Sequence, residues 1–327
     1  YNVNPYWDVY KNSNSSKKDQ FRFNGKVVWN ITQHLKVQGT AGAELNWFTF
    51  EDYKAPTTPG YESGYLQNNN FRNRMYNFEL LALYNNSWGN FDFNATLGGN
   101  LYKVNNQTIV TTAKDMKIRD VVALMSFNEV SVEPYSYRKQ INSIYGAVNL
   151  GWKHMLYFDA TLRGDQSSTL PISNNMYIYP SFSGSFVFSE LLKLGDKLPY
   201  GKVRMSWAQV GSDTDPYQLG LVYTKSKFAY PGYTIGYISN GTIPNKDLKP
   251  TKTNSFEMGL ELKFLKNRIG LDFTYYSQLS KNQIMGMASS STSGYGYRLI
   301  NAGEIENKGV EIALNTRPIQ TKDFSWD

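Results

Sequence analysis

The chain has 327 residues, of which 15% are aromatic and 19% charged, and its formal net charge is +7 at pH 7. It has no cysteine, no basic run and no stretch of about 18 apolar residues, which excludes disulfide scaffolds, thiolate sites, nucleic-acid binding and transmembrane helices. The aromatic content favours strands and amphipathic interfaces. A transmembrane β-barrel is not excluded, because its alternating strands contain no long apolar stretch.

In chain order, the sequence predicts strands joined alternately by short turns and by long polar loops. The short turns fall near Asn30–Leu35, Asn85–Asn90, Lys153–Met155, Leu192–Gly201, Leu265–Asn267 and Thr316–Asp323. The long loops are predicted at Ala55–Asn70, Lys114–Tyr137, Phe228–Pro250 and Met287–Tyr297. Strands counted around the short turns number about a dozen. No change of composition divides the chain, so we expect one domain, residues 1–327.

The clearest predicted strand, Ser255–Phe264, has apolar residues on one face and polar residues such as Glu257 and Glu261 on the other. The alternation resumes at Ile269 after a short turn, which predicts a hairpin. Its length matches the roughly 9–11 residues of a tilted membrane-spanning strand, whereas strands in globular sheets most often have about 5–6. A register slip of one residue would present charged residues to lipid, so the alternation fixes the register.

The contrast between short turns and long loops favours one architecture. Outer-membrane barrels have short turns on the periplasmic side and long loops outside, whereas sandwiches and propellers mix loop lengths at both ends. Trp29, Trp88, Trp152 and Trp326 adjoin predicted short turns, where one aromatic girdle of a barrel would lie. The fold class predicted from these patterns is all-β, an antiparallel transmembrane β-barrel.

A family resemblance rests on several segments that occur in order along the chain. They are NPYW at Asn4–Trp7, YIYPSFSGSFVFSE at Tyr177–Glu190, KVRMSWAQVGSD at Lys202–Asp213, the long run Ile243–Ile284, and INAGEIENKGVEIALN at Ile300–Asn315. Together they resemble barrel segments of SusC/RagA-type TonB-dependent transporters, and the resemblance covers nearly the whole chain.

The resemblance implies an outer-membrane barrel of roughly 22 strands, of which this chain would supply about 12. It further implies an N-terminal plug that TonB pulls from the periplasm, a SusD-like surface lipoprotein as partner, and oligosaccharides or peptides as imported ligands. The chain begins without Met and ends in FSWD, so we expect a fragment that lacks the plug, the TonB-contact segment and the signal peptide. Neither a cofactor nor enzymatic activity is expected.

Two other functions compete with import. One is a soluble all-β carbohydrate-binding or adhesin domain, which would purify from the aqueous fraction without detergent. The other is an outer-membrane barrel enzyme, which would need a nucleophile, a base and an orienting group within hydrogen-bond reach. The two histidines, His34 and His154, adjoin short turns and have no evident Ser or Asp partner, so we interpret them as polar turn residues.

Tyrosines in the long loops are the candidate residues for binding a substrate or a partner, because each offers a rigid apolar ring and a hydroxyl. They are Tyr61, Tyr65, Tyr230, Tyr233, Tyr237, Tyr295 and Tyr297. Packing of the loops against one another is an equally open interpretation. Asp213 and Asp215 have the spacing that begins a calcium loop, but no later Glu completes it, and a turn at Asp-Pro is favoured.

Polar residues on the predicted inner face have a simpler role. Glu257, Glu261, Asp272 and Arg163 are expected to line a wet lumen or to contact the plug.

The segment Ile300–Asn315 alternates clearly only in its second half. There Val310, Ile312 and Leu314 are expected to meet lipid. The irregular Glu304–Gly309 portion is predicted to form a β-bulge, since Gly309 tolerates the unusual backbone of a kink.

Overall fold

The computed structural model describes residues 4–192, 195–225, 233, 235–238, 241–322 and 324–326. Its α-helices are α1 (Pro5–Lys11) and α2 (Phe188–Leu192). The 3-10 turns are Leu124–Ser126, Ile172–Asn174, Gly195–Lys197 and Ser291–Ser293. The first strands are β1 (Ser13–Asn30), β2 (Leu35–Lys54), β3 (Tyr65–Trp88), β4 (Phe91–Met116), β5 (Phe127–Trp152), β6 (Leu156–Ser167), β7 (Met176–Val187) and β8 (Tyr200–Ser212). The later strands are β9 (Tyr223–Lys225), β10 (Gly236–Ile238), β11 (Thr242–Ile243), β12 (Thr251–Phe264), β13 (Ile269–Lys281), β14 (Ile284–Ala288), β15 (Tyr297–Asn301), β16 (Glu304–Thr316), β17 (Ile319–Gln320) and β18 (Ser325–Trp326).

Within the described residues, eleven strands form one sheet in the order β1-β2-β3-β4-β5-β6-β7-β8-β12-β13-β16. Each strand pairs with the next long strand along the chain, and every neighbouring pair from β5 to β16 runs antiparallel. The short strands pair separately, as β9 with β10 and as β14 with β15 and β11. No helix of the described part is long and apolar enough to cross a membrane.

The predicted hairpin β12–β13 has the expected register. Phe264 pairs with Ile269 across the turn, and Glu261 pairs with Asp272, so the two polar faces coincide. Leu265, Lys266 and Asn267 in the turn all have positive φ. The alternation of the sequence therefore determines which face each side chain occupies.

The predicted bulge at Glu304–Gly309 is wrong. All of β16 pairs with β13 without interruption, from Ile269 with Thr316 to Lys281 with Glu304. Gly309 pairs with Tyr276, and a Cβ at Gly309 would lie 2.7 Å from the Tyr276 hydroxyl oxygen. The glycine leaves room for a tyrosine side chain on the neighbouring strand.

The second half of β16 follows the prediction. Val310, Ile312 and Leu314 lie on one face and are 55%, 67% and 64% exposed. This is the face that the alternation assigns to lipid.

Two of the predicted long loops are partly strand. β3 begins at Tyr65, inside the predicted loop Ala55–Asn70, while β4 continues to Met116 and β5 begins at Phe127. Strands β3, β4 and β5 have 24, 26 and 26 residues, well beyond the roughly 9–11 that cross a membrane. Where both faces of a strand meet polar surroundings the apolar alternation disappears, so the sequence pattern does not reveal these extensions.

The predicted short connection Leu192–Gly201 is also longer than expected. Helix α2 and a 3-10 turn lie between β7 and β8, within residues 188–197.

The chain divides into two compact units. The first comprises Tyr1–Lys26, Thr40–Phe78 and Leu101–Gln140, and its buried core consists of Tyr53, Ala55, Leu66, Ala113 and Phe127. The second comprises Val27–Gly39, Glu79–Asn100 and Ile141–Asp327, with a buried cluster of Leu170, Tyr177, Leu248 and Leu299. The single domain expected from composition stays a prediction.

We expect Gly309→Ala to lower the free energy of unfolding by about 1–3 kcal/mol, because the new methyl group would overlap the Tyr276 ring. Urea unfolding of the purified protein in detergent, followed by tryptophan fluorescence, measures the change. Gly270→Ala is the control, since its Cβ would lie 3.7 Å from Asn315, an ordinary contact. Equal losses in both variants would contradict this explanation, as would a loss that persists when Tyr276 is also changed to Ala.

Candidate functional site

Two of the candidate tyrosines lie together in the first unit. Tyr61 belongs to the loop 55–64 between β2 and β3, and Tyr65 is the first residue of β3. Their ring centroids are 5.0 Å apart at an interplanar angle of 50°. Tyr61 is exposed and Tyr65 is half-buried. The pair offers an aromatic surface on a loop, as the sequence predicts for ligand or partner contact.

The loop that carries Tyr61 is fixed by polar contacts to the N-terminal segment. The Asn12 Oδ1 atom accepts hydrogen bonds from the backbone N–H of Ala55 at 2.9 Å and from the Thr58 hydroxyl at 3.1 Å. Trp7 donates its Nε1–H to Thr58 Oγ1 at 2.9 Å. Both Ala55 and Thr58 are buried, so in the folded chain their donors bond to Asn12 instead of to water.

The same loop turns around Glu62. The backbone N–H of Gly60 donates to Glu62 Oε1 at 3.0 Å, and Gly60 has a φ of +83°. The backbone N–H groups of Glu62 itself and of Gly60 hold the pKa of the Glu62 carboxyl below its usual value. The carboxylate therefore stays ionised and bonded to the turn at neutral pH.

The remaining candidate tyrosines belong to the second unit. Tyr233, Tyr237 and Tyr297 are exposed, and Tyr295 is half-buried. Tyr237 lies on β10 and Tyr297 on β15, so the backbones of both are held by strand pairing. Tyr230 lies outside the described residues. The predicted set is thus divided between the two units, and its role stays a prediction.

An ion pair that the sequence did not single out lies on the polar face of the second unit. Arg204 of β8 donates two hydrogen bonds to the Asp272 carboxylate, at 2.8 and 2.9 Å, and a third to Thr274 Oγ1 at 2.6 Å. Its side chain crosses β12 at Gly259, where a Cβ would lie 2.5 Å from Arg204 Nε. In the sequence, the sign of this contact was a glycine, Gly259, among the polar positions of Ser255–Phe264.

Arg163, predicted to face the lumen, is also held by neighbouring strands. It donates to Asp165 at 2.9 Å and to the Ser143 hydroxyl at 3.0 Å, and its guanidinium lies 5.2 Å from the Tyr145 ring centroid. Tyr179 donates to the same Asp165. Arg163 and Asp272 thus form structural networks, which accords with a polar lining. Direct contact with a plug stays a prediction.

A polar and aromatic surface in the first unit went unnoticed in the sequence. The rings of Phe48 on β2 and Phe71 on β3 are 5.6 Å apart. Asn46 shares a strand face with Phe48, and Asn69 and Asn73 share one with Phe71, since side chains two residues apart point the same way. We call these five residues the amide-aromatic surface.

The amides of this surface have unused acceptors. The side-chain oxygens of Asn46, Asn69 and Asn73 are buried and find no hydrogen-bond donor among the described residues. A buried acceptor without a donor costs about 1–3 kcal/mol.

Of the two weak metal candidates, Asp213 has another role in the structure. The Asp213 Oδ2 atom accepts hydrogen bonds from the hydroxyls of Ser167 at 2.5 Å and Thr169 at 3.2 Å, and Asp215 is exposed. Within the part of the chain that the structure describes, no group of three or more His, Cys, Asp or Glu residues could hold a metal ion. The contacts of Asp213 therefore favour the predicted loop turn.

The two histidines also have structural roles. The Nδ1 atom of His34 lies 3.0 Å from the backbone oxygen of Asn85, next to a turn. His154 has a φ of +54° within the turn after β5.

Comparison with known proteins gives one family and several relatives. A family model described as "TonB dependent receptor-like, beta-barrel" matches residues 1–327. The chain is 26% identical to TonB-dependent receptor P3 of Formosa agariphila, over 99% of this chain and 33% of that protein. It is 25% identical to TonB-dependent receptor SusC of Bacteroides thetaiotaomicron, over 99% of this chain and 35% of that protein.

Among solved structures, the RagAB peptide transporter matches with a TM-score of 0.88 and 21% identity, over 98% of this chain and 36% of that chain. This likeness concerns the fold. The chain thus spans about a third of the length of the relatives it matches. These matches confirm the predicted resemblance and the predicted β-barrel fold class.

We expect Asn12→Ala to loosen the loop 55–64, because the buried N–H of Ala55 and the hydroxyl of Thr58 lose their acceptor, at a cost of about 1–3 kcal/mol. Amide hydrogen exchange of the loop should accelerate roughly tenfold or more. The matched control is Asn14→Ala, an exposed position on β1. Unchanged exchange in the loop of the Asn12 variant would show that other contacts hold it.

Proposed function

Because this chain belongs to the TonB-dependent receptor-like β-barrel family and lies in the outer membrane, we propose that it forms part of the wall of a nutrient importer of the SusC and RagA type. The observation that carries the proposal is the match of the family model along residues 1–327. The apolar and polar faces of β12, β13 and β16 support it, since a lipid-facing wall around a wet lumen needs that alternation.

The imported ligand is an oligosaccharide or a peptide. RagAB is described as a peptide transporter, which supports the peptide class, and the resemblance to SusC-type importers is the ground for the oligosaccharide class. The amide-aromatic surface suits either class. Its aromatic rings stack on sugar faces or apolar side chains, and the amide side chains of Asn46, Asn69 and Asn73 add polar groups beside them.

The loop tyrosines extend this set of ligand or partner contacts. Tyr61 and Tyr65 form a pair in the first unit, and Tyr233, Tyr237 and Tyr297 are exposed in the second. Tyrosine loses little conformational entropy on binding and pairs an apolar ring with a hydroxyl, which suits the contact surfaces of protein partners and of ligands.

The partners are a SusD-like surface lipoprotein and TonB, the latter through a plug region outside this sequence. The relatives SusC and RagAB support this assignment. This chain contributes part of the barrel wall and its loops to the importer. In this mechanism the loops first capture the ligand, and the plug then moves.

The importer performs no reaction on its ligand. The family is one of transporters, and the contacts of His34 with Asn85 and of Asp213 with Ser167 are structural. Neither residue shows the base and nucleophile arrangement that a hydrolase requires.

We expect Phe48→Ala together with Phe71→Ala to weaken ligand binding by the intact importer about tenfold, because the stacking surface is lost. Calorimetry with an oligosaccharide series and a peptide series measures the affinity and decides the class. The control is Trp47→Leu, which changes an exposed side chain at the neighbouring position of the same strand. Unchanged affinity for every ligand in the double variant would remove this surface from the proposal.

Segment 221–240, which overlaps the predicted long loop Phe228–Pro250, offers a test of the lipoprotein partner. We expect its replacement by a short Gly-Ser linker to weaken association with the lipoprotein while the barrel still assembles. The deletion stops before β11 because Leu248 is fully buried in the core of the second unit. Co-purification measures association, and heat-modifiable mobility on gels measures assembly. Full retention of the lipoprotein by the assembled variant would count against the loop.

A further inference from the structure

One face of β3 changes from apolar to basic over a few residues in the first unit. Phe78, Tyr76, Arg74 and Arg72 alternate with residues of the opposite face, so all four point the same way. Phe78 is 50% exposed and Tyr76 half-buried. Exposed apolar side chains of an outer-membrane barrel strand meet lipid, and aromatic residues mark the interface. Arg74 and Arg72 follow immediately beyond that interface.

Strand β4 repeats this order. Leu101, Lys103 and Gln107 lie on one face of the strand. Arg74 donates from Nη2 to Gln107 Oε1 at 3.1 Å, which places these faces of β3 and β4 on the same side of the sheet. Lys103 therefore shares a surface with Arg72 and Arg74, directly after the apolar Leu101. We call Arg72, Arg74 and Lys103 the basic triad.

The charges of the basic triad are not neutralised within the part of the chain that the structure describes. Arg72 and Lys103 are exposed and form no ion pair there, and Arg74 bonds to an uncharged amide. A carboxylate on this face, Glu51 of β2, accepts a hydrogen bond from Asn68 at 3.3 Å. Three cations thus stand together without an anionic partner.

Equivalent positions in the second unit are different. There Lys281 lies 3.0 Å from Glu304, and Lys308 lies 3.2 Å from Glu306. Lysines on this face of β13 and β16 are therefore paired with carboxylates. These paired lysines contrast with the unpaired cations of β3 and β4.

The height of the basic triad matches a lipid headgroup. At about 3.3 Å per residue, and with the tilt of barrel strands, Arg74 lies roughly 10 Å beyond Phe78. The headgroup region adds about 5–7 Å to each side of the hydrocarbon core, and Arg and Lys side chains extend back toward it. A phosphate at the membrane surface is therefore within reach of the triad.

We propose that Arg72, Arg74 and Lys103 bind the phosphate of an anionic lipid headgroup in the outer leaflet. The planar guanidinium groups of the arginines present paired N–H donors that match two phosphate oxygens, and the lysine supplies a point charge. The lipid tails lie against the apolar positions that begin at Phe78 and Leu101. This contact fixes the barrel wall at one depth in the membrane, and it depends on the outer-membrane location, not on the imported ligand.

The test uses the intact importer in nanodiscs and a triple variant, Arg72→Gln, Arg74→Gln and Lys103→Gln. Short-chain phosphatidic acid is the lipid probe and inorganic phosphate the soluble one, and native mass spectrometry measures occupancy. We expect tight, salt-sensitive binding of the lipid probe by the unchanged protein, a loss of tenfold or more in the triple variant, and little competition from inorganic phosphate.

The matched control is Lys266→Gln, Lys281→Gln and Lys308→Gln, which removes the same charge from lysines that each pair with a carboxylate. This control should bind the lipid probe like the unchanged protein. The double variant Arg72→Lys and Arg74→Lys keeps the charge but lacks the paired N–H donors of the guanidinium groups. We expect it to lose lipid affinity to an intermediate degree.

Equal lipid binding by the triple variant and the unchanged protein would overturn the proposal. Equal losses in the triple variant and the control would also overturn it, because net charge would then explain the binding. Displacement of the lipid by millimolar inorganic phosphate would identify a soluble-anion site instead. Ligand affinity measured on the same triple variant should not change, so failure here is separate from failure of the import proposal.

Discussion

The pairing of backbone groups along antiparallel strands is the constraint on which this structure depends. In hydrocarbon an unpaired N–H or C=O group costs several kcal/mol, so a wall of strands must continue its ladder from one neighbour to the next. Strands β8, β12, β13 and β16 do so without interruption. Because the ladder fixes the register, each side chain lies on one of the two faces of the sheet. The apolar residues therefore collect on one face and the polar residues on the other.

Side chains on the polar face are arranged to satisfy one another across strands. Arg204 reaches Asp272 over Gly259, and Tyr276 covers Gly309. In both places a glycine on one strand leaves room for a long side chain of its neighbour. Where such partners are missing, as for the cations of the basic triad, the surface is suited to bind an anion.

Sequence reasoning succeeded where one face of a strand is apolar. The hairpin β12–β13 and the faces of Val310, Ile312 and Leu314 follow directly from alternation. It failed at Glu304–Gly309 because the face that is apolar from Val310 onward carries charged residues in this part, which hides a regular strand. Gly309 suggested a kink, although its role is to accommodate Tyr276. The extensions of β3, β4 and β5 were missed for the same reason. The candidate tyrosines were identified by loop position, but their division between two units was not visible.

By itself, the sequence determined the all-β class, the tight turns at Lys153–Met155 and Leu265–Asn267, the faces of the strands that carry apolar residues, and the family resemblance. Those features are local, since alternation and turn chemistry involve residues that are neighbours in the chain. Only the tertiary structure decided which strands are neighbours. It therefore placed Phe48 beside Phe71, Arg204 beside Asp272 and Arg74 beside Gln107. Such contacts join residues that are far apart in the sequence. Which of them meet depends on the hydrogen-bond register between two strands, and the sequence of one strand alone does not specify that register.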